Sequence, residues 1–186
     1  MRDRYYRHVA QIMRETIRES SLQWSVPVPI HSLIHHSGFM VVEAPLRPRF
    51  EAALVATGST RIIFVNQSLG PFAQRFALAH ELVHAWHHTG CSGSDHPLLA
   101  EMETEANAGA AELLLPYDWF METASRLVGD RLQTGVDLTA FLASPEARHW
   151  AGQARVTLSV LGYHLRDLGF VQKDPSASLT PLSAEL

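Results

Sequence analysis

The sequence has few of the features that mark exported, disulfide-stabilised or membrane-spanning proteins. It contains one cysteine in 186 residues, which excludes an internal disulfide and suits a reducing compartment. No apolar run approaches the roughly 20 residues that cross a bilayer. Residues 1–20 are charged and hold no apolar stretch before a cleavage site. We therefore expect a soluble cytoplasmic protein that makes no contact with a membrane.

Positive charge is also scarce. Lys and Arg total 15 against 19 Asp and Glu, and the formal net charge is -4, so no overall field attracts a polyanion such as nucleic acid. Residues 156–168 have a helical pattern, but Arg155 and Arg166 are opposed by Asp167 and form no basic stripe. We expect no direct nucleic-acid binding and interpret this segment as structural or as a contact for a substrate.

Three strand-like runs lie between residues 39 and 66. Residues 39–43, 50–57 and 61–66 are rich in β-branched and aromatic residues. The last two runs flank Gly58, which favours a hairpin loop between them. We therefore predict a small antiparallel sheet.

Helical patterns occupy most of the remaining chain. Amphipathic periodicity predicts a helix over residues 1–22, and a shorter one follows at 30–36. Later helices are predicted at residues 71–88, at 98–115, from 117 onwards, and twice within 138–170. Strands followed by helices imply an α+β fold, in which the sheet packs against a helical bundle.

The segment His80-Glu81-Leu82-Val83-His84 has the HExxH pattern within the helix predicted over 71–88. Residues four apart lie on one helix face with Cβ atoms roughly 5–6 Å apart, so His80 and His84 can share one metal ion. Glu81 is offset around the helix, where its carboxylate can reach a water molecule at the metal. The alternative is a helix whose histidines face solvent or satisfy hydrogen bonds in the core. A third ligand distinguishes the two interpretations.

The third ligand must come from another element. His87 and His88 lie further along the same helix, and three imidazoles on one face of a single helix cannot surround a tetrahedral ion. We interpret both as surface groups or as supports for the ligands. The extended pattern HExxHxxGxxH also fails, because His87 stands at its glycine position and Gly90 at its last histidine.

The next predicted helix offers four carboxylates. They are Glu101, Glu103, Glu105 and Glu112. Small and apolar residues mark the inward face of this helix, namely Ala106, Ala110, Leu113 and Leu114. Glu103 falls on that face, where a buried carboxylate needs a cation. Glu105 lies about 200° away, and we interpret its side of the helix, shared with Glu101 and Glu112, as a solvated charged face.

Further polar residues complete the candidate site. Asn107 lies one turn after Glu103, where its amide oxygen can accept a hydrogen bond from a metal-bound histidine; the alternative is an amide on the helix surface. Two imidazoles and one carboxylate suit a catalytic Zn²⁺ site, which leaves a position for a water that Glu81 can deprotonate. Such sites often add a donor for the oxyanion, and the candidates are Tyr117, His149, Tyr163 and His164.

Two segments together resemble the ImmA/IrrE family of metallopeptidases. They are residues 75–84, RFALAHELVH, and residues 103–116, ETEANAGAAELLLP, and the similarity extends from about Val28 to Val171. The resemblance implies a thermolysin-like zincin with the Zn²⁺ ligands and the base described above. We accordingly divide the chain into an N-terminal helical extension over residues 1–26, a zinc metallopeptidase domain over 27–172 and a flexible tail over 173–186.

Many members of that family cut helix-turn-helix repressors. The resemblance therefore implies a zinc-dependent endopeptidase whose substrate is such a repressor or an antitoxin. The alternative is a non-cleaving, zinc-containing binding module that sequesters the same partner, and the intact Glu81 argues against it. Three positions depart from the family pattern without removing a ligand: Val83 replaces a glycine, Gly109 an aromatic residue and His164 a common arginine.

Overall fold

The computed structural model describes residues 25–88, 96–127 and 138–168. Three strands and seven helices lie in these ranges: α1 (Ile30–His36), β1 (Met40–Ala44), β2 (Ala52–Thr57), β3 (Thr60–Asn66), α2 (Pro71–His87), α3 (His96–Leu114), α4 (Tyr117–Leu127), α5 (Leu138–Leu142), α6 (Pro145–Ala154) and α7 (Leu158–Asp167). Within these ranges, no helix combines the length and the apolar character needed to traverse a bilayer. The helix predicted over residues 1–22 and the tail over 173–186 lie outside the described residues.

The strands form one mixed sheet in the order β1-β3-β2. β2 and β3 are antiparallel and joined by the predicted hairpin, whereas β1 runs parallel to β3, with Met40 opposite Ile62. The predicted α+β class is confirmed, but the prediction of an antiparallel sheet is wrong at β1. Residue patterns reveal a strand without specifying which strand it pairs with.

The side chain of Asn66 holds the connection that makes the sheet mixed. Residues 45–51 pass over the end of β3 from β1 to β2, and Asn66, buried at that end, donates from Nδ2 to the Phe50 carbonyl oxygen at 3.0 Å. Its Oδ1 accepts hydrogen bonds from the backbone N–H and the hydroxyl of Ser68 at 3.1 and 2.8 Å. One buried amide therefore secures both the crossing segment and the turn into α2, which leaves β2 at an edge of the sheet.

Helix α2 lies between the sheet and α3. Pro71 occupies its first turn, where the missing N–H leaves no donor unpaired. One side of α2 packs against β2 and β3 and another side against α3. The buried surface of α3 is rich in alanine, including Ala106, Ala108, Ala110 and Ala111. Small side chains allow two helix backbones to approach closely, so the HExxH residues lie within reach of polar groups on α3.

The C-terminal part contains three described helices where the sequence predicts two. Ser144 caps α6 by accepting a hydrogen bond from the Ala147 backbone at 3.1 Å, and α6 ends where Arg155 adopts a left-handed conformation with φ of 53°. Thr157 then caps α7 in the same manner. The additional helix, α5, has only five residues, which is too short to display a helical period.

Glu112 contradicts the prediction of a solvated face. Its side chain is buried, its Oε1 accepts a hydrogen bond from the Tyr117 backbone at 3.1 Å, and its Oε2 lies 3.7 Å from Nε2 of His164. Helix α3 has more than one inward face, because it packs against α2 and also against α7. The C-terminal half of α3 is therefore enclosed from two directions.

Burial also determines the charge of His164. Removal from water lowers the pKa of His164 to about 3, and the nearby Leu115 backbone opposes that shift only in part. The imidazole is thus neutral near pH 7, and its contact with Glu112 is not a pair of full charges. Its ring packs edge-on against Phe120 at 4.8 Å between centroids, as expected for a neutral ring in an apolar core.

We predict that His164 makes the protein sensitive to mild acid. The unfolded chain protonates this histidine below about pH 6.5, whereas the folded chain does so only near pH 3. The free energy of unfolding should therefore fall by about 1.4 kcal/mol per pH unit across this window from this residue alone. Urea unfolding between pH 7.5 and pH 4.5 measures the slope, which should be shallower in His164→Gln and unchanged in the exposed control His149→Gln. Equal slopes for wild type and His164→Gln would contradict the prediction.

Candidate metal centre

The two histidines of the HExxH segment face each other along α2. His80 and His84 are one helical turn apart, their ring centroids are 4.7 Å apart, and their Nε2 atoms approach to 3.0 Å. Both rings are largely enclosed, with side-chain exposures of 16% and 13%. Two imidazole nitrogens are therefore held together at the surface of the helix that faces α3.

Glu103 on α3 supplies a third donor. Its Oε2 lies 3.3 Å from Nε2 of His80, and its Oε1 lies 3.4 Å from Nε2 of His84. A tetrahedral ion with bonds of about 2.0–2.1 Å separates its ligand atoms by about 3.3 Å. Each carboxylate oxygen lies at nearly this distance from one imidazole nitrogen. His80, His84 and Glu103, which form the candidate metal cluster, can therefore hold a metal ion.

The exposure of Glu103 differs from the expectation. The sequence predicts a buried carboxylate on the inward face of α3, but the Glu103 side chain is 61% exposed. This N-terminal half of α3 borders an open cleft, whereas the C-terminal half is enclosed. The carboxylate therefore reaches the histidines from the solvent side, and the cluster opens towards the cleft.

The charges of the cluster compensate one another. Hydrogen bonds from His80 and His84 hold the pKa of the Glu103 carboxyl well below its usual range. Burial acts to lower the pKa of His80, but its hydrogen bond to Glu103 and the carboxylates of Glu81 and Glu103 outweigh that effect and raise it. Proton binding to His80 therefore places a positive charge beside the Glu103 carboxylate.

Glu81 projects into the cleft beside the cluster. Burial raises the pKa of its carboxyl, and the neighbouring His80 and His84 and a hydrogen bond from the Leu54 backbone counteract part of that rise. Glu81 and Glu103 line both a cavity of about 650 Å³ and a second one of about 390 Å³. These two carboxylates therefore stand where the two cavities meet.

Strand β2 forms the wall opposite α2. Leu54 and Ala56 line the larger cavity and Ala52 lines the smaller one. The carbonyl of Glu51 accepts a hydrogen bond from Asn66 on β3, so alternation along the strand turns the backbone groups of residues 52, 54 and 56 towards the cleft. The sequence predicts β2 as a strand but gives no sign that it borders the metal cluster.

Both candidate ligand histidines contact polar groups with their remaining ring nitrogens. Nδ1 of His80 lies 3.1 Å from Oδ1 of Asn107, the contact that the spacing of Asn107 from Glu103 predicts. Nδ1 of His84 lies 2.8 Å from Nδ1 of His88. The pattern that could have revealed the second contact is the four-residue interval between His84 and His88, which repeats the interval between His80 and His84.

The four candidate oxyanion donors are not brought to the cluster. None of them is among the described residues that line the two cavities. His164 is fully buried near Glu112, Tyr163 packs against the core, and His149 is exposed on α6. Tyr117 is partly exposed at the start of α4. Sequence spacing alone cannot place residues on separate helices relative to α2.

Residues 35–165 match the family described as the IrrE N-terminal-like domain, Peptidase_M78. The chain belongs to this family. The match covers β1 to β3 and the helices that carry every member of the metal cluster. Membership of this family agrees with the resemblance to ImmA/IrrE proteins.

A solved structure shares the fold of this Peptidase_M78 domain. A Mycobacterium tuberculosis transcriptional regulator superposes with a TM-score of 0.58 at 17% sequence identity. The alignment covers 94% of this chain and 52% of that protein, so the chain spans about half the length of its structural neighbour. No curated protein gives a significant match.

We predict that metal binding by the Peptidase_M78 domain weakens as the pH falls. His80 must lose a proton to bind a metal ion, and its pKa in the metal-free protein is raised above the ordinary 6.5. Glu103 stays ionised because its pKa is lowered. The affinity should therefore drop about tenfold per pH unit below the His80 pKa for each displaced proton. Competition with a chromophoric chelator between pH 8.5 and pH 6 measures this change, and a constant affinity would contradict it.

Proposed function

We propose that the protein is a zinc-dependent endopeptidase that cleaves a regulatory protein. The observation that carries the proposal is the convergence of His80, His84 and Glu103 beside Glu81 in an open cleft. Three protein ligands of the N and O type are typical of catalytic rather than structural zinc sites, which use four. A Zn²⁺ ion held there supplies Lewis-acid chemistry, because it acidifies water and polarises a carbonyl oxygen.

Glu81 acts as the proton carrier in this proposal. Its carboxylate takes a proton from the attacking water and then passes that proton to the nitrogen of the departing amine. Burial raises the pKa of Glu81, which brings the carboxyl closer to the operating pH and improves it for both transfers. Its position at the junction of the two cavities leaves room for substrate on either side of the scissile bond.

The edge of β2 is suited to hold the substrate. Its outward backbone groups at residues 52 and 56 face the same cleft as Glu81, whose carboxylate accepts a hydrogen bond from the Leu54 backbone between them. An extended peptide can add to such an edge through main-chain hydrogen bonds, with little dependence on its sequence. We propose that the substrate lies along β2, so that one of its peptide bonds passes over the metal cluster.

Two observations support a regulatory protein as the substrate. The resemblance to ImmA/IrrE proteins implies a helix-turn-helix repressor or an antitoxin, and the structural neighbour is a transcriptional regulator. A repressor of this class works in the cytoplasm, which agrees with the single cysteine of this chain. The net charge of -4 favours a protein partner over direct contact with DNA.

We predict that Glu81→Gln abolishes cleavage and leaves metal binding intact. The amide cannot accept the proton, while all three ligands remain, so activity should fall by at least about 10²–10⁴-fold. Zinc content by atomic absorption and cleavage of a helix-turn-helix repressor encoded beside the gene should be measured in parallel. Glu101→Gln, an exposed glutamate on α3, is the matched control and should behave as wild type.

The alternative outcomes are distinct. Zinc binding without wild-type cleavage, together with tight binding of the repressor, would replace the peptidase with a binding module that sequesters its partner. Absence of zinc from the wild-type protein would overturn the metal site itself. Equal cleavage by wild type and Glu81→Gln would remove Glu81 from the mechanism.

A further inference from the structure

His84 is linked to a second pair of polar side chains behind the metal cluster. Its Nε2 faces Glu103 and His80, so its Nδ1 points away from the cluster. There it meets Nδ1 of His88 at 2.8 Å, within hydrogen-bond distance. His88 is the residue that follows α2, and its side chain is 7% exposed.

The link continues from His88 to α3. Nε2 of His88 lies 3.1 Å from Oε2 of Glu105, and the Glu105 side chain is 44% exposed. Three side chains thus connect in a line from the cluster to the rim of the cleft: His84, His88 and Glu105. The line joins the end of α2 to α3 at the position where these helices hold the ligands.

We consider the line with His88 neutral and Glu105 ionised. Binding of a metal ion to His84 then permits only one arrangement of protons along it. A histidine that binds metal through Nε2 carries its proton on Nδ1, so His84 donates to His88. His88 must then accept at Nδ1, and its own proton lies on Nε2. From there His88 donates to the carboxylate of Glu105, which is an acceptor when ionised.

We propose that His88 and Glu105 are positioning residues that fix the tautomer and ring orientation of His84 and so raise the affinity of the site for zinc. The proposal rests on the metal site put forward above. Outer partners of this kind orient the ligand and increase its basicity. His80 has a shorter arrangement, because Asn107 provides a neutral amide oxygen at 3.1 Å. Only the His84 branch ends on a carboxylate, among the contacts of the described residues.

Substitutions at His88 separate positioning from general packing. His88→Leu removes the acceptor for His84 and should weaken zinc binding by about 10–100-fold. His88→Asn places an amide oxygen near the position of Nδ1, so it should restore much of the affinity that His88→Leu loses. A purely structural role predicts no such rescue, because Asn fills less of the buried volume than Leu.

Substitutions on α3 test the far end of the line. Glu105→Gln keeps an oxygen acceptor but removes the negative charge, so zinc affinity should fall by less than in His88→Leu, within about tenfold of wild type. Glu101→Gln is the matched control, since it removes an exposed charge from the same helix. Its affinity should equal that of wild type.

The experiment measures zinc affinity by competition with a chromophoric chelator at one fixed pH, and the visible absorption of the Co²⁺-loaded protein as a signature of ligand geometry. Thermal unfolding of the metal-free variants shows whether each one folds.

The proposal is supported if His88→Leu alone loses affinity strongly and shifts the Co²⁺ bands while His88→Asn recovers both. It is overturned if His88→Leu binds zinc as wild type does, or if His88→Asn is as weak as His88→Leu. Wild-type protein without zinc would overturn the proposed function as well, whereas unchanged variants of a zinc-binding wild type would overturn this inference alone.

Discussion

The site depends above all on the approach of α3 to α2. Glu103 reaches both histidines at 3.3 and 3.4 Å, and this is feasible because the packed surface of α3 consists largely of alanine. A larger side chain at Ala106 or Ala110 would separate the backbones, and the carboxylate would lose one histidine or both. The cost would go beyond local packing, because two close imidazoles need an anion or a metal ion to balance their charge when either is protonated.

The second constraint is the location of β2 at the edge of the sheet. The buried amide of Asn66 holds the segment that crosses the end of β3, and this crossing assigns β1 and β2 to opposite edges. β2 then lies against α2 with outward backbone groups beside Glu81. The candidate metal cluster and the surface suited to an extended peptide are therefore consequences of the same three elements, β2, α2 and α3.

The two halves of α3 have different environments, and each half has a different role. Its N-terminal half borders the cleft, where Glu103 and Glu105 remain partly exposed and meet histidines of α2. Its C-terminal half is enclosed between α2 and α7, where Glu112 and His164 are buried. Carboxylates of one helix thus lie either beside the candidate metal cluster or in the core, depending on which helix packs over them.

Features that depend on spacing within one helix are predictable from the amino-acid sequence alone. The HExxH interval brings His80 and His84 onto one face of α2, and helical phase selects Glu103 and places Asn107 one turn later, because the period of an α-helix is fixed by its backbone hydrogen bonds. The α+β class and most element boundaries follow from the same periodicities. Four features are visible only in the folded chain: the parallel pairing of β1, the burial of Glu112, the exposure of Glu103 and the position of β2 beside Glu81. Each of these depends on which distant segment covers a given face, and local periodicity carries no information about that neighbour.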